Sequence, residues 1–195
     1  MPENQRQKQK SLTRKLLIET ALTQYAKNGL IKTKTIEIAK AANVSHGTIF
    51  SHFSTQEDLI IAVIEEFGYR IMNRLHELVT IDSTLYEVLS SHITGLLDFE
   101  PFYTNLITER RLLPEKIINT YIMIQSTISF HITIAAEREM EQGVIKKQPA
   151  HLIFNTWIGL VHYYLTNSDL FCPKSSVLKK YGDELIKHYI NLIKI

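Results

Sequence analysis

Apolar residues recur along the chain at intervals of three and four, the period of an α-helix. No segment sustains the alternation that marks a half-buried strand. From Ser11 to Asn28 the apolar positions are Leu12, Leu16, Leu17, Ala21, Leu22, Tyr25 and Ala26. Ser11 is placed to cap that helix, Arg14 and Lys15 to face outward, and Gly29 to stop it where a left-handed residue is favoured. Pro101, Pro114, Pro149 and Pro173 each precede a long apolar-periodic stretch, close to the first turn where helices tolerate proline. The pattern predicts helices over roughly 11–28, 35–42, 46–52, 55–79, 83–98, 101–111, 114–141, 149–168 and 174–194. The expected fold is all-α, with about nine helices and no internal repeat.

Two segments carry more apolar surface than one packed face needs. Over 149–168, Leu152, Ile153, Phe154, Trp157, Ile158, Leu160, Val161, Tyr163, Tyr164 and Leu165 go almost all the way round. A helix with no polar face has to be buried on most sides. The final segment carries a stripe of Val177, Leu178, Tyr181, Leu185, His188, Tyr189, Leu192 and Ile193. One stripe packs on the rest of the chain, and the excess points to a partner. Gly159 either lets a helix approach closely there or is incidental.

Composition changes this picture little, and charge distribution changes it more. The 195 residues are 45% apolar and 22% charged, ordinary for a globular protein of one large domain or one plus a small module. The single cysteine, Cys172, excludes an intrachain disulfide framework and a four-cysteine metal site, and fits a reducing compartment. The net charge of +2 hides a division. Up to residue 54 there are nine Lys and Arg against three Glu, a net +6; beyond it stand 13 basic and 17 acidic residues, a net −4. A basic head suits a polyanion and an acidic body does not. Two domains are expected, 1–54 and 55–195, sharing a continuous helix rather than a flexible linker. The polar start leads into no apolar signal region. Leu152–Leu165 is broken by Asn155, Thr156, Gly159 and His162, and is shorter than the roughly 20 residues of a membrane span. A cytoplasmic protein with no membrane partner is expected.

The most informative stretch is Thr33–Leu59. Two short helices are separated by Asn43, Val44 and Ser45. Asn43 suits a left-handed turn position, and Ser45 can cap the second helix by accepting from its free N–H groups. Ile38, Ala39, Ala42, Val44, Ile49 and Phe53 would form the small core that fixes the crossing. This is a helix-turn-helix, whose second helix enters the DNA major groove. That helix would present His46, Gly47, Thr48 and Ser51 to base edges, while neighbouring Lys and Arg hold phosphates. Arg6, Lys8 and Lys10 before it would either add backbone or minor-groove contacts or form a solvated arm. Phe53 reads as core; Phe50 reads equally as core or contact.

The wider run resembles the TetR family of bacterial transcriptional regulators. Gly29, Thr33 and Thr35, Ile38-Ala39, Val44-Ser45, Gly47-Thr48-Ile49-Phe50, His52-Phe53 and Glu57-Asp58-Leu59 follow the family's order and spacing over about the first 60 residues. Beyond that, only length and helix count agree. The chain departs from the family at four places: Asn43 stands for the turn glycine, Phe50 for a phosphate-binding tyrosine, Gln56 for a lysine, and Lys34 for a threonine. The resemblance implies phosphate contacts from Thr35 and His52, with Lys34 restoring a charge, and base contacts from His46, Gly47, Thr48 and Ser51. The DNA-binding candidates are thus Lys34, Thr35, Ser45, His46, Gly47, Thr48, Phe50, Ser51 and His52. It further implies a larger helical ligand-binding and dimerisation domain after the three-helix head, and a homodimer through the last two helices (about 149–194).

No other motif carries chemistry. His76-Glu77 lacks the second histidine of a zinc-protease helix, the other histidines show no ligand spacing, and the glycines form no phosphate loop. Cys172 has no companion base. Neither enzyme activity nor a cofactor nor a metal is expected. The resemblance also implies a ligand pocket between helices of the body, for which Phe67, His92, Phe99, Tyr103, Tyr121, Gln125, His131 and Trp157 are candidates, although an aromatic residue at helical spacing is more often core than ligand wall. The sequence therefore points to a ligand-responsive repressor that binds a palindromic operator as a homodimer and is released by a small-molecule effector. The alternative is a constitutive or architectural DNA binder whose body only dimerises.

Overall fold

A computed structural model describes residues 2–195, with side chains from Gln5 onward. Among the described residues the helices are α1 (Pro2–Asn28), α2 (Thr35–Ala41), α3 (His46–His52), α4 (Gln56–Leu78), α5 (Leu85–Leu97), α6 (Glu100–Glu109), α7 (Glu115–Glu141), α8 (Ala150–Thr166), α9 (Ser168–Phe171) and α10 (Val177–Ile193). An isolated backbone bridge between Ile145 and Lys194 ties the α7–α8 connection to the C-terminus. The all-α expectation holds, with three differences.

The first helix begins at Pro2 rather than near residue 11. Its added turns are rich in Gln, Lys and Arg, all good helix formers, and contain no glycine to end it. Leu12 and Leu16 are exposed; the packed face is Leu17, Ile18, Ala21, Leu22 and Tyr25. A short α9 follows α8. The last helix begins at Val177, not 174, because Ser176 caps it by accepting from Lys179 N–H at 2.9 Å. The buried Glu100 carboxylate takes the next free donors, Val177 N–H at 2.8 Å and Leu178 N–H at 3.2 Å. A carboxylate at a helix N-terminus satisfies amides that have no partner inside the helix and opposes the positive end of its dipole.

Packing divides the chain into two compact units, residues 1–67 with 101–121, and residues 68–100 with 122–195. In the first, Ile38, Ala39, Ala42, Ile49 and Phe53 form the core of α2 and α3, with Val44 half-buried. The end of α1 is closed from α6. Asn105 Nδ2 donates to the Tyr25 and Ala26 carbonyls (2.8 and 3.0 Å), and Glu109 Oε2 accepts from Leu30 and Ile31 N–H (2.7 and 3.0 Å). Gly29 has φ +87° and no side chain where the Glu109 carboxylate packs. In the second unit Trp157, Tyr189, Val161 and Ile153 are buried, and Tyr189 donates to the Ile153 carbonyl at 2.6 Å. Gly182 lets α10 pass close to α5: a Cβ there would meet Ile93 Cγ2 at 2.8 Å.

Candidate nucleic-acid interface

The turn between α2 and α3 is built by the residues expected to build it. Asn43 adopts φ 54°, the left-handed conformation that asparagine enters at low cost. Val44 N–H returns to the Ala39 carbonyl at 3.0 Å, and Ser45 Oγ accepts from Thr48 N–H at 3.1 Å. Alpha-helix α3 therefore begins at a defined residue and buries only Ile49. His46, Gly47, Phe50 and Ser51 face water, and Thr48 is half-buried. Phe50 is 46% exposed, which decides between its two readings in favour of the surface.

Local hydrogen bonds fix the polar side chains of this face. Thr35 Oγ1 and His46 Nε2 lie 2.9 Å apart, so the first turn of α2 orients the imidazole at the start of α3. Thr35 is itself buried. The Thr48 and Ser45 hydroxyls are 2.8 Å apart, and Ser51 donates to the Thr48 carbonyl at 2.7 Å. Ser51 keeps its oxygen lone pairs free to accept, as a base amino group requires. The His46 ring meets Phe50 edge-on at 5.1 Å.

Beside α3 lies a basic cleft bounded by Gln7, Lys10, Ser11, Arg14, Ser51 and His52. Arg14 stacks over the Phe53 ring at 4.8 Å, which holds its charge at the cleft edge. Partial burial, then Lys10 and Arg14, hold the His52 imidazole below its usual pKa. The N-terminal residues 6, 8 and 10 lie on helix α1 with exposed side chains, so Lys10 joins this surface as part of a rigid element rather than of a loose arm. Lys34 precedes α2 with its side chain in water and its N–H on Glu37 at 2.9 Å. Gln56, at the family's lysine position, donates to the Thr33 carbonyl at 3.2 Å and so braces the α1–α2 connection instead.

The aromatic positions of the body are spread over both units. In the first, Phe67 stacks on Tyr103 (5.5 Å, 23°), and Arg110 lies over the Tyr121 ring at 5.7 Å. In the second, Trp157 Nε1–H donates to His92 Nδ1 at 3.2 Å, Arg70 lies near the Phe99 ring at 5.9 Å, and Gln125 is half-buried. Since indole only donates, the proton of His92 sits on Nε2, which is buried without a hydrogen-bond partner among the described residues. Burial, followed by the charge of His162, pushes the His92 pKa down to about 3, so the ring stays neutral. A cavity in the second unit has a different lining, and of all these positions only His131 belongs to it. The carboxylates of Glu100 and Glu109 escaped sequence reasoning: their partners lie 76 to 79 residues away, and no local pattern marks them.

A Ser45-capped helix crossing its predecessor at a left-handed turn, with a polar face open to water beside clustered cations, has the geometry of a helix-turn-helix. Residues 17–63 match the family described as bacterial regulatory proteins, tetR family. The similarity to that family covers the C-terminal part of α1, α2, α3 and the start of α4. A probable acrEF/envCD operon repressor of Escherichia coli K12 is 34% identical over 90 residues, 46% of this chain and 34% of that protein. The chain thus spans about a third of the length of the curated relatives first matched. A fatty acid metabolism regulator protein of Bacillus subtilis is 26% identical over 180 residues, covering 84% of this chain and 90% of its own. A TetR-family transcriptional regulator from Agrobacterium tumefaciens shares the fold, with TM-score 0.78 at 16% identity over 95% of this chain and all of its own. No helix among the described residues is long and apolar enough to cross a membrane.

Proposed function

We propose that the chain is a ligand-responsive transcriptional repressor that binds a palindromic operator as a homodimer in the cytoplasm. The exposed polar face of α3 next to Lys10, Arg14 and His52 carries this reading. Residues 1–54 form the DNA-reading head and 55–195 the regulatory and dimerising body. His46, Gly47, Thr48 and Ser51 read bases; Thr35 acts through His46; Ser45 and Phe50 shape and flank the reading face; Lys34, His52, Lys10 and Arg14 hold phosphates. Dimerisation uses α8 and α10. Leu152, Tyr163 and Leu192 expose apolar surface there, and Gly159 faces open space that allows close approach. A two-fold dimer presents two α3 helices to successive major grooves. An effector that binds one spacing of those helices better than the other releases the DNA, because only differential affinity shifts the equilibrium.

The presence of a cavity in the body favours this over a purely architectural role. The test is a salt-controlled titration of the full chain against a palindrome selected from random duplexes and against unselected duplex, with the mass of the free and bound protein measured by light scattering. Preference for the palindrome by a dimer is expected. Equal affinity for both duplexes at each salt concentration overturns the reading.

A further inference from the structure

The second unit holds a cavity of about 290 Å³ that the DNA-reading surface does not involve. It lies at the end of α4, the α4–α5 connection, the start of α5 and the C-terminal half of α7. Leu75, Val79, Val88, Ile134 and Ala135 supply apolar walls. Ile81 and Phe130 stand at its edge 84% and 61% exposed, apolar side chains left in water beside an apolar hollow.

Each polar side chain on the wall can donate, and Arg138 can do nothing else. Arg138 gives two of its five N–H groups to the Ile81 and Ser83 carbonyls, which anchors the guanidinium at one end of the cavity with donors remaining. The hydroxyls of Thr80 and Ser83 adjoin it. The His76 and His131 rings meet edge-on at 5.5 Å, and burial followed by His76 holds His131 below its ordinary pKa, so it stays neutral. No carboxylate among the described residues lines the space. Glu87, whose field Arg138 reaches, is turned to the Thr84 N–H and hydroxyl at 2.7 and 2.9 Å.

Position along α7 sets the size of an occupant. His131 and Arg138 are seven residues apart on one face, about 10 Å along the axis. One group cannot touch both. An acceptor held at Arg138 leaves about that length of apolar wall before the imidazole pair. A volume near 290 Å³ lies at the lower edge of the roughly 300–1,000 Å³ of small-molecule sites, so a long acyl chain does not fit.

We propose that this cavity binds a small monocarboxylate, with its carboxylate on Arg138 and its apolar body running along Ile134 and Ala135 to the edges of His131 and His76. The proposal deepens the regulator reading by naming the effector class, and rests on that reading only for the consequence at DNA. Phenylbutyrate is a probe of matching length, and phenylbutanol is its uncharged counterpart.

Calorimetry on the full chain without DNA is expected to show saturable phenylbutyrate binding, about tenfold tighter than phenylbutanol, or about 1.4 kcal/mol. The imidazole resonances of His131 and His76, assigned with His131→Gln and His76→Gln, shift on saturation in the unaltered protein. Arg138→Gln removes the preference for the acid. Ala135→Leu abolishes binding by filling the wall while leaving Arg138 in place. Circular dichroism melts check that each variant is folded, and the resonance shifts need no variant to locate the ligand. The proposal is overturned by absence of saturable binding, by equal affinity for acid and alcohol, or by binding that leaves both imidazoles unmoved. Operator binding is measured separately on ligand-free protein, so failure of the effector site and failure of the regulator reading are told apart.

Discussion

Glu109 offers the sharpest test of how the reading head is held. Its Oε2 accepts from Leu30 N–H at 2.7 Å and Ile31 N–H at 3.0 Å, just beyond the end of α1. Leu30 is fully buried and Ile31 is exposed, so of the two amides that of Leu30 is the harder for water to reach once the carboxylate is gone. A hydrogen bond to a charged group contributes about 1.5–3 kcal/mol, and a stranded buried donor costs a similar amount. Glu109→Ala should therefore destabilise the fold by about 2–3 kcal/mol, nearly all of it through Leu30. For a chain of this size each kcal/mol lowers Tm by about 2–4 °C, which gives a fall of roughly 4–12 °C. Glu109→Gln keeps one acceptor oxygen and should lose only about 1 kcal/mol. Thermal unfolding followed by circular dichroism reads both. Because the released segment carries Thr33, Lys34 and Thr35, operator affinity should fall with stability. If Glu109→Ala melts within about 2 °C of the parent, the two amide bonds contribute nothing and the account of α6 as a brace is wrong.

The remaining expectations follow from similar geometry. Gly182→Ala would place a Cβ 2.8 Å from Ile93 Cγ2, a branched atom next to its own backbone, and should cost about 1–3 kcal/mol in urea unfolding; no change would mean α5 and α10 part freely. Thr48→Ala and Ser51→Ala should relax discrimination at particular base pairs by about 1–3 kcal/mol. Lys34→Gln should instead weaken all duplexes alike and lower the salt slope by about one, so identical behaviour of the three would refute the division of roles. His52 is held below its usual pKa by burial, Lys10 and Arg14, so it is neutral near pH 7 and gains a charge as pH falls. Folding stability tied to a neutral histidine is present above the unfolded pKa and is lost on acidification, while attraction to phosphate grows. Between about pH 7 and pH 5 the salt slope of DNA binding should steepen, and His52→Gln should remove that increment.

Helical periodicity, the left-handed turn at Asn43, the Ser45 cap and the small core of Ile38, Ala39, Ile49 and Phe53 were all legible in the chain. Each depends on residues within a few turns of one another, and short-range sterics decide them. The charge division at residue 54 was legible for the same reason, since a sum over sequence needs no contacts. Tertiary structure decided what those rules leave open. Phe50 could be core or surface until packing on Ile49 left it in water. Glu100 reaches the first amides of the last helix from 77 residues away, and the end of α1 is closed by Asn105 and Glu109 at similar distances. The cavity with Arg138 and His131 exists because α7 passes the α4–α5 connection, although neither segment carries a ligand motif. Local patterns determine which residues become helix. Which carboxylate, guanidinium or imidazole meets a given free N–H or hollow depends on loop closure over dozens of residues, and only the folded chain specifies that.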